Sequence, residues 1–120
     1  YKQIELLENG MWDKDEIVKV LSENKVKAVE IQRSRGYSTR KSLNIATIKK
    51  ICEIVKTKNP NCICFVDNCY GEFVDTKEPL EVGADLIAGS LIKNAGGGIV
   101  EAGGYIVGKK KYVDMECYVV

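Results

Sequence analysis

Three short, mostly apolar runs punctuate this chain, at residues 26–31, 62–66 and 85–89. The middle one reads Cys62, Ile63, Cys64, Phe65, Val66 without a polar interruption, as expected of a strand covered on both faces. The stretches between them carry helical periodicity instead. Asp13 stands three residues before Glu16, a capping-box spacing, and Ile17, Val20 and Leu21 share one face, which predicts a helix to about residue 24. Ile45, Ile48, Ile51, Cys52 and Val55 predict a second amphipathic helix. It ends near Lys58 with cations in its last turn and is stopped by Asn59-Pro60. Strands alternating with helices point to an α/β fold, three-layered, with a mostly parallel sheet.

The remaining segments fit around that frame. Residues 1–7 alternate weakly and read as a strand, followed by a turn at Asn9-Gly10. Residues 32–42 are polar and basic, without periodicity, and read as a loop. Pro79 opens a short helical turn that Gly83 closes. Residues 90–104 form a glycine-rich loop carrying Lys93; residues 105–107 read as a last strand, and a further helix begins at Lys109.

At 120 residues the chain can build one core but not two. A net charge of +1 gives no electrostatic case for nucleic acid or a membrane surface. The apolar runs are far too short to span a bilayer, and no signal or transit peptide is visible. The chain opens on Tyr1 and closes on Tyr118, Val119 and Val120; both ends look cut, so a fragment of a longer protein is expected. The five cysteines are odd in number and lack CxxC spacing, and histidine is absent. A zinc site would need thiolates alone at unusual spacings, so no metal is expected. Reduced, mostly buried thiols of a cytoplasmic protein are the plainer expectation.

Parallel α/β sheets bind ligands outside the carboxyl ends of their strands. There the first run delivers Gln32, Arg33 and Ser34, the second Asp67, Asn68, Cys69 and Tyr70, and the third Ser90 and Lys93. Singly, each has a plainer explanation. An aspartate at a strand end is usually a turn residue or cap, and a lysine in a glycine-rich loop is usually solvated. Gly96, Gly97 and Gly98 could be a flexible tip, and Arg33, Arg35, Arg40 and Lys41 a solvated basic loop. If the three strands are neighbours, however, a carboxylate, a lysine, a hydroxyl and an arginine meet in one crevice.

The residues themselves then resemble a family. Phe65-Val66-Asp67-Asn68-Cys69-Tyr70-Gly71-Glu72-Phe73 resembles the pyridine-nitrogen motif of fold-type-I pyridoxal-phosphate enzymes. Gly83-Ala84-Asp85-Leu86-Ile87-Ala88-Gly89-Ser90-Leu91-Ile92-Lys93-Asn94 resembles their lysine motif. With Gln32-Arg33-Ser34-Arg35-Gly36-Tyr37 and Gly103-Gly104-Tyr105-Ile106-Val107-Gly108, the chain is similar to the methionine gamma-lyase-like family, also labelled aluminium resistance proteins or cystathionine beta-lyase relatives. The resemblance covers essentially the whole chain. It implies that residues 1–120 are a fragment of the large cofactor-binding domain of an aspartate aminotransferase-like fold. The amino-terminal phosphate loop and carboxy-terminal small domain would lie elsewhere.

The implied cofactor is pyridoxal 5'-phosphate, the implied partner a small-molecule amino-acid substrate, and the implied reaction β- or γ-elimination at a carbon–sulfur bond of a sulfur amino acid. The parent protein would be a homo-oligomer whose neighbouring subunit completes the site. By resemblance Lys93 is the Schiff-base lysine and later the general base, roles that need a primary amine kept partly neutral. Asp67 would face the pyridine nitrogen and favour its protonated form. Ser90 would bond the cofactor phosphate, Tyr70 would line the pocket, and Ser34 or Arg33 would approach the cofactor's phenolic oxygen or the substrate carboxylate. The chain departs from the pattern at three places. Ile92 replaces a second phosphate-binding hydroxyl, Cys69 a threonine, and Ala95 a proline. Other fold-type-I outcomes, such as transsulfuration or transamination, stay open, as does a non-catalytic phosphate-binding α/β module, though neither GxGxxG nor P-loop spacing occurs. The glycine-containing helix start that holds the phosphate, the ring that stacks on the cofactor and the arginine for the substrate carboxylate cannot be located here. Alone, these residues are therefore expected to bind the cofactor weakly or not at all.

Overall fold

The computed structural model describes residues 1–118, so Val119 and Val120 of the closing apolar run lie outside the described residues. In chain order the elements are α1 (Lys14–Glu23), β1 (Ala28–Gln32), α2 (Ile45–Lys58), β2 (Ile63–Asp67), β3 (Leu86–Ser90), β4 (Gly104–Gly108) and α3 (Lys110–Glu116). A 3-10 turn occupies Pro79–Val82 and a π-helical turn Leu91–Ala95. The strands lie side by side as β1-β2-β3-β4; β1, β2 and β3 are parallel and β4 runs antiparallel to β3. This is the α/β fold with a mostly parallel sheet that the alternation of elements predicts.

Local chemistry sets the helix boundaries. The Asp13 carboxylate accepts the Glu16 N–H at 2.9 Å and starts α1. The reciprocal half of a capping box is not made, because the Glu16 carboxylate takes the Lys2 ammonium at 2.9 Å. Asn44 starts α2 by accepting the Thr47 N–H at 2.9 Å, and Lys56 and Lys58 lie in its last turn, where the helix dipole favours cations. Gly83, at φ +113°, closes the 3-10 turn in a conformation that costs glycine little. Residues 1–7 are not a strand. Their one β-bridge, antiparallel, joins Leu6 to Trp12 around the turn at Gly10.

Side-chain alternation in β2 divides the molecule. Cys64 and Val66 turn to the helices, where they pack with Ile48, Ile51, Cys52 and Val55 of α2. Burying each such aliphatic side chain contributes about 1.5–3 kcal/mol. Ile63, Phe65 and Asp67 turn the other way and remain partly exposed. Burial of this strand on both faces, expected from its unbroken apolar run, is thus seen on one face only. Of the three layers expected, residues 1–118 form the helical layer and the sheet. Cys52, Cys62 and Cys64 are buried free thiols, Cys69 is half-buried and Cys117 exposed. Among the described residues no helix is long and apolar enough to cross a membrane.

A buried carboxylate pins the amino ends of the strands. Asp85 is 0 % exposed. It accepts the ammonium groups of Lys56 (2.5 Å) and Lys109 (2.5 Å) and the Cys64 N–H (2.8 Å). It therefore ties together α2, β2, β3 and the entry to α3. Burial alone would raise its pKa, but the hydrogen bonds from Lys109 and Lys56 outweigh that and hold it below the usual 3.8. Asp85→Ala should lower the unfolding free energy by about 3 kcal/mol in urea titrations, the low end for breaking a buried pair because both lysines can turn to water. The sign of the pH dependence follows from a depressed folded pKa. The Asp85 contribution is fully present above about pH 4 and is lost as pH falls through the folded value. Urea midpoints measured from pH 6 downward should therefore fall less steeply in Asp85→Asn than in the unsubstituted protein.

Candidate functional site

Parallel register brings the carboxyl ends of three strands level. Gln32 pairs with Asp67 across β1 and β2, and Asp67 with Ala88 across β2 and β3. On the face away from the helices these ends open into a crevice of about 300 Å³, whose lining includes Phe65, Asp67, Cys69, Ser90, Gly103 and Gly104. That volume lies at the small end of the range for cofactor-sized ligands. Small residues shape one wall, since Ser90 pairs with Gly104 and any Cβ at Gly104 would press on the Gly89 carbonyl at 3.1 Å.

The charged groups of the site lie close together. The Asp67 carboxylate accepts the Cys69 N–H at 3.0 Å, an Asx-type turn that aims the following residues back over the strand end. Tyr70 then takes a left-handed conformation (φ +64°) and is 60 % exposed at the rim. Lys93, in the π-helical turn after β3, places its ammonium 5.0 Å from the Tyr70 ring centroid, a cation–π distance. A hydrogen bond with Cys69 raises the Lys93 pKa above its usual value; partial burial opposes this, and the charges of Cys69, Tyr70 and Asp67 add to it. Asp67 and Lys93 therefore share one electrostatic environment. In this state the lysine is an ammonium, and it must lose a proton before it can act as a nucleophile.

The five residues singled out in the sequence are not all brought together. Asp67 and Ser90 line the crevice, whereas Tyr70 and Lys93 are outside its lining and stand against each other. Ser34 is outside the lining; it is half-buried, and its carbonyl accepts a short hydrogen bond from Arg40. Arg33 is not part of a solvated loop. It is 3 % exposed and turns under the segment that follows Asp67. Its guanidinium donates to Asn68 Oδ1 (2.8 Å), the Gly71 carbonyl (2.8 Å) and Asp75 (2.7 Å), with Glu78 at 3.7 Å. Asn68 in turn donates to Glu78 at 2.9 Å. Satisfying a buried guanidinium on several sides is what makes its burial tolerable. The signal for this clamp was present in the sequence as charge complementarity. A basic stretch at 33–41 is matched by the acids Glu72, Asp75, Glu78 and Glu81 after the second strand, of which Asp75 and Glu78 are the ones Arg33 reaches.

The chain has relatives among known proteins. A family model described as methionine gamma-lyase matches residues 1–120. The chain belongs to the methionine gamma-lyase family. It is 49% identical over 118 residues to the uncharacterized protein YnbB of Bacillus subtilis (strain 168), covering 98% of this chain and 28% of that protein. It superposes with TM-score 0.92 and 54% identity on the crystal structure of a carbon-sulfur lyase involved in aluminum resistance from Clostridium novyi NT, covering 98% of this chain and 28% of that one. It is also 31% identical over 78 residues to the L-methionine gamma-lyase of Treponema denticola, which spans 65% of this chain and 19% of that enzyme. The chain thus spans little more than a quarter of the length of the first two.

The donor set fits the cofactor this family implies. An anion for a pyridinium, a hydroxyl for a phosphate and a primary amine for an aldehyde lie in or beside one crevice that small residues keep open. Among the described residues, no group of three or more His, Cys, Asp or Glu could hold a metal ion. The segment bearing the aromatic rim depends on the Arg33 clamp, and the clamp depends on a missing side chain. A Cβ at Gly71 would lie 2.4 Å from Arg33 Cδ. Gly71→Ala should destabilise the protein by about 1–3 kcal/mol, the usual cost of overpacking, as read from its chemical-denaturation midpoint.

Proposed function

We propose that this chain is the cofactor-binding core of a longer, cytoplasmic pyridoxal-phosphate-dependent carbon–sulfur lyase that releases a thiol from a sulfur amino acid. The observation that carries this is the convergence of Asp67, Ser90 and Lys93 at the ends of neighbouring parallel strands, in a chain matched by the family model from end to end. Bound here, pyridoxal phosphate would supply an electron sink for the electron pair left when the substrate's α-proton departs.

The chain's own residues have distinct tasks in this reading. Asp67 holds a proton on the ring nitrogen, because an anion beside it favours the charged pyridinium. Ser90 donates to the phosphate. Lys93 would hold the cofactor through its aldehyde group and, as a free amine, would take the substrate's α-proton as general base. Neutralising Asp67 by a pyridinium removes one of the charges that raise the Lys93 pKa, which favours the free amine that both steps need. Tyr70 forms an aromatic wall beside the lysine. The remaining phosphate donors, the substrate-carboxylate partner and the cover for the open sheet face come from the rest of the parent polypeptide and a neighbouring subunit.

Reduction with borohydride tests the assignment. In the parent polypeptide loaded with pyridoxal phosphate, mass spectrometry should find a stable pyridoxyl adduct on Lys93. Lys93→Ala should abolish the adduct and lower turnover by about 10²–10⁴-fold or more, the contribution of a general base with its covalent role lost as well. A keto acid, ammonia and a thiol as products distinguish elimination from transamination. An adduct on another lysine, or none, would refute the assignment. Residues 1–120 alone should give no lasting visible band with the cofactor.

A further inference from the structure

Glu72 has no task in the chemistry above, yet its main chain bonds the turn that carries Lys93 and its carboxylate bonds β4. Glu72 belongs to the segment that follows Asp67 and is 6 % exposed. Its main-chain carbonyl accepts a hydrogen bond from the Asn94 side chain at 3.0 Å, and Asn94 is the residue next to Lys93. Its Oε1 accepts the Tyr105 hydroxyl at 2.8 Å, and Tyr105 stands on β4. Its Oε2 is buried without a hydrogen-bond partner. The contact with Tyr105 passes directly beneath β3. A Cβ at Gly89 would lie 2.4 Å from the Tyr105 hydroxyl and 2.6 Å from Glu72 Oε1, so glycine is required for the bridge to exist. Gly89 immediately precedes Ser90 of the crevice wall.

The turn that carries Lys93 has few other anchors. Leu91 N–H donates to the Gly103 carbonyl at 3.0 Å and Gly97 N–H to the Lys93 carbonyl at 2.7 Å. Beyond it run Gly96, Gly97 and Gly98, which resist bending poorly. The Asn94–Glu72 bond joins the Lys93–Tyr70 contact in referring this turn to the segment after β2, and it is the one that reaches the main chain there. A buried acid with one oxygen unpaired is costly to keep, and such costs are tolerated where they fix a functional geometry.

We propose that Glu72 is a positioning residue: through Asn94 and Tyr105 it fixes where Lys93 stands relative to Asp67. This rests on the reading of Lys93 as the amine that bonds the cofactor. Two measurements on the parent polypeptide separate the proposal from that reading. The first needs no cofactor. In Asn94→Ala, a substitution at an exposed site, the amides of Leu91 and Gly97 should exchange with deuterium a few-fold to about tenfold faster, the effect of losing one hydrogen bond of ordinary net strength. Amides of α2 should be unchanged. The second uses the visible band of the loaded protein. Its pH midpoint should move in Asn94→Ala and Tyr105→Phe and stay in place in Glu72→Gln, which keeps an acceptor for Tyr105.

Unchanged exchange in Asn94→Ala overturns the proposal. So does a pH midpoint that stays fixed in both Asn94→Ala and Tyr105→Phe while the melting temperature falls, because the network would then serve stability alone. If Tyr105→Phe fails to fold, Asn94→Ala decides. Absence of any borohydride adduct on Lys93 in the unsubstituted protein refutes the cofactor reading and, with it, this role for Glu72; faster exchange in Asn94→Ala would then be a property of the loop only.

Discussion

Everything in this molecule is referred to the parallel register of β1, β2 and β3. Parallel strands end on the same side, so the residues that follow them are delivered to one edge whatever loops come next. The pairing of Gln32 with Asp67 and of Asp67 with Ala88 makes that edge level to within a residue or two. The period of two along β2 then assigns faces. Cys64 and Val66 go to the helical core, and Phe65 and Asp67 to the open side. Shifting the register by one residue would bury Asp67 against α2 and expose Val66, so the core and the site are specified by the same alternation.

Buried ions secure the sheet at both ends, with opposite signs. At the amino ends Asp85 gathers two ammonium groups and a backbone N–H. At the carboxyl ends Arg33 gathers an amide oxygen, a carbonyl and a carboxylate. Neither gives a large net stabilisation, since desolvation cancels much of the attraction. Their effect is geometric. Asp85 fixes how α2 and the entry to α3 meet the strands, and Arg33 fixes the path of the chain between Asp67 and the 3-10 turn. That path sets the left-handed Tyr70 against which Lys93 rests.

Much of this was legible in the sequence because it obeys local rules. Both long helices, the three parallel strands and the 3-10 turn lie within about two residues of where periodicity, caps and turn residues put them. The meeting of Asp67 and Ser90 in one crevice was accessible because strand ends are where parallel sheets bind ligands. What escaped depends on contacts distant in sequence. Arg33 reads as one more cation in a basic loop until Asn68, Asp75 and Gly71 are seen around it. Asp85 reads as the first residue of a strand rather than the centre of an ion triad. Residues 1–7 alternate like a strand but make only the Leu6–Trp12 bridge, and Phe65 looks doubly buried although the helices of this chain cover only the other face.

The use of Arg33 as a clamp also constrains how the site can be completed. A phosphate dianion and a substrate carboxylate would bring several negative charges next to Asp67. Among the described residues, the crevice wall itself contributes the acids Glu30 and Asp67 and no arginine. The guanidinium nearest in sequence is neutralised by Asp75 and Glu78 and lies beneath the segment rather than in the crevice. A compensating positive charge brought in from the open side of the sheet would cross the face that Phe65 and Ile106 leave partly exposed. A covering layer there would bury that apolar surface and, by excluding water, strengthen every charge interaction in the crevice. The packing that completes the fold and the electrostatics that complete the site are thus one requirement.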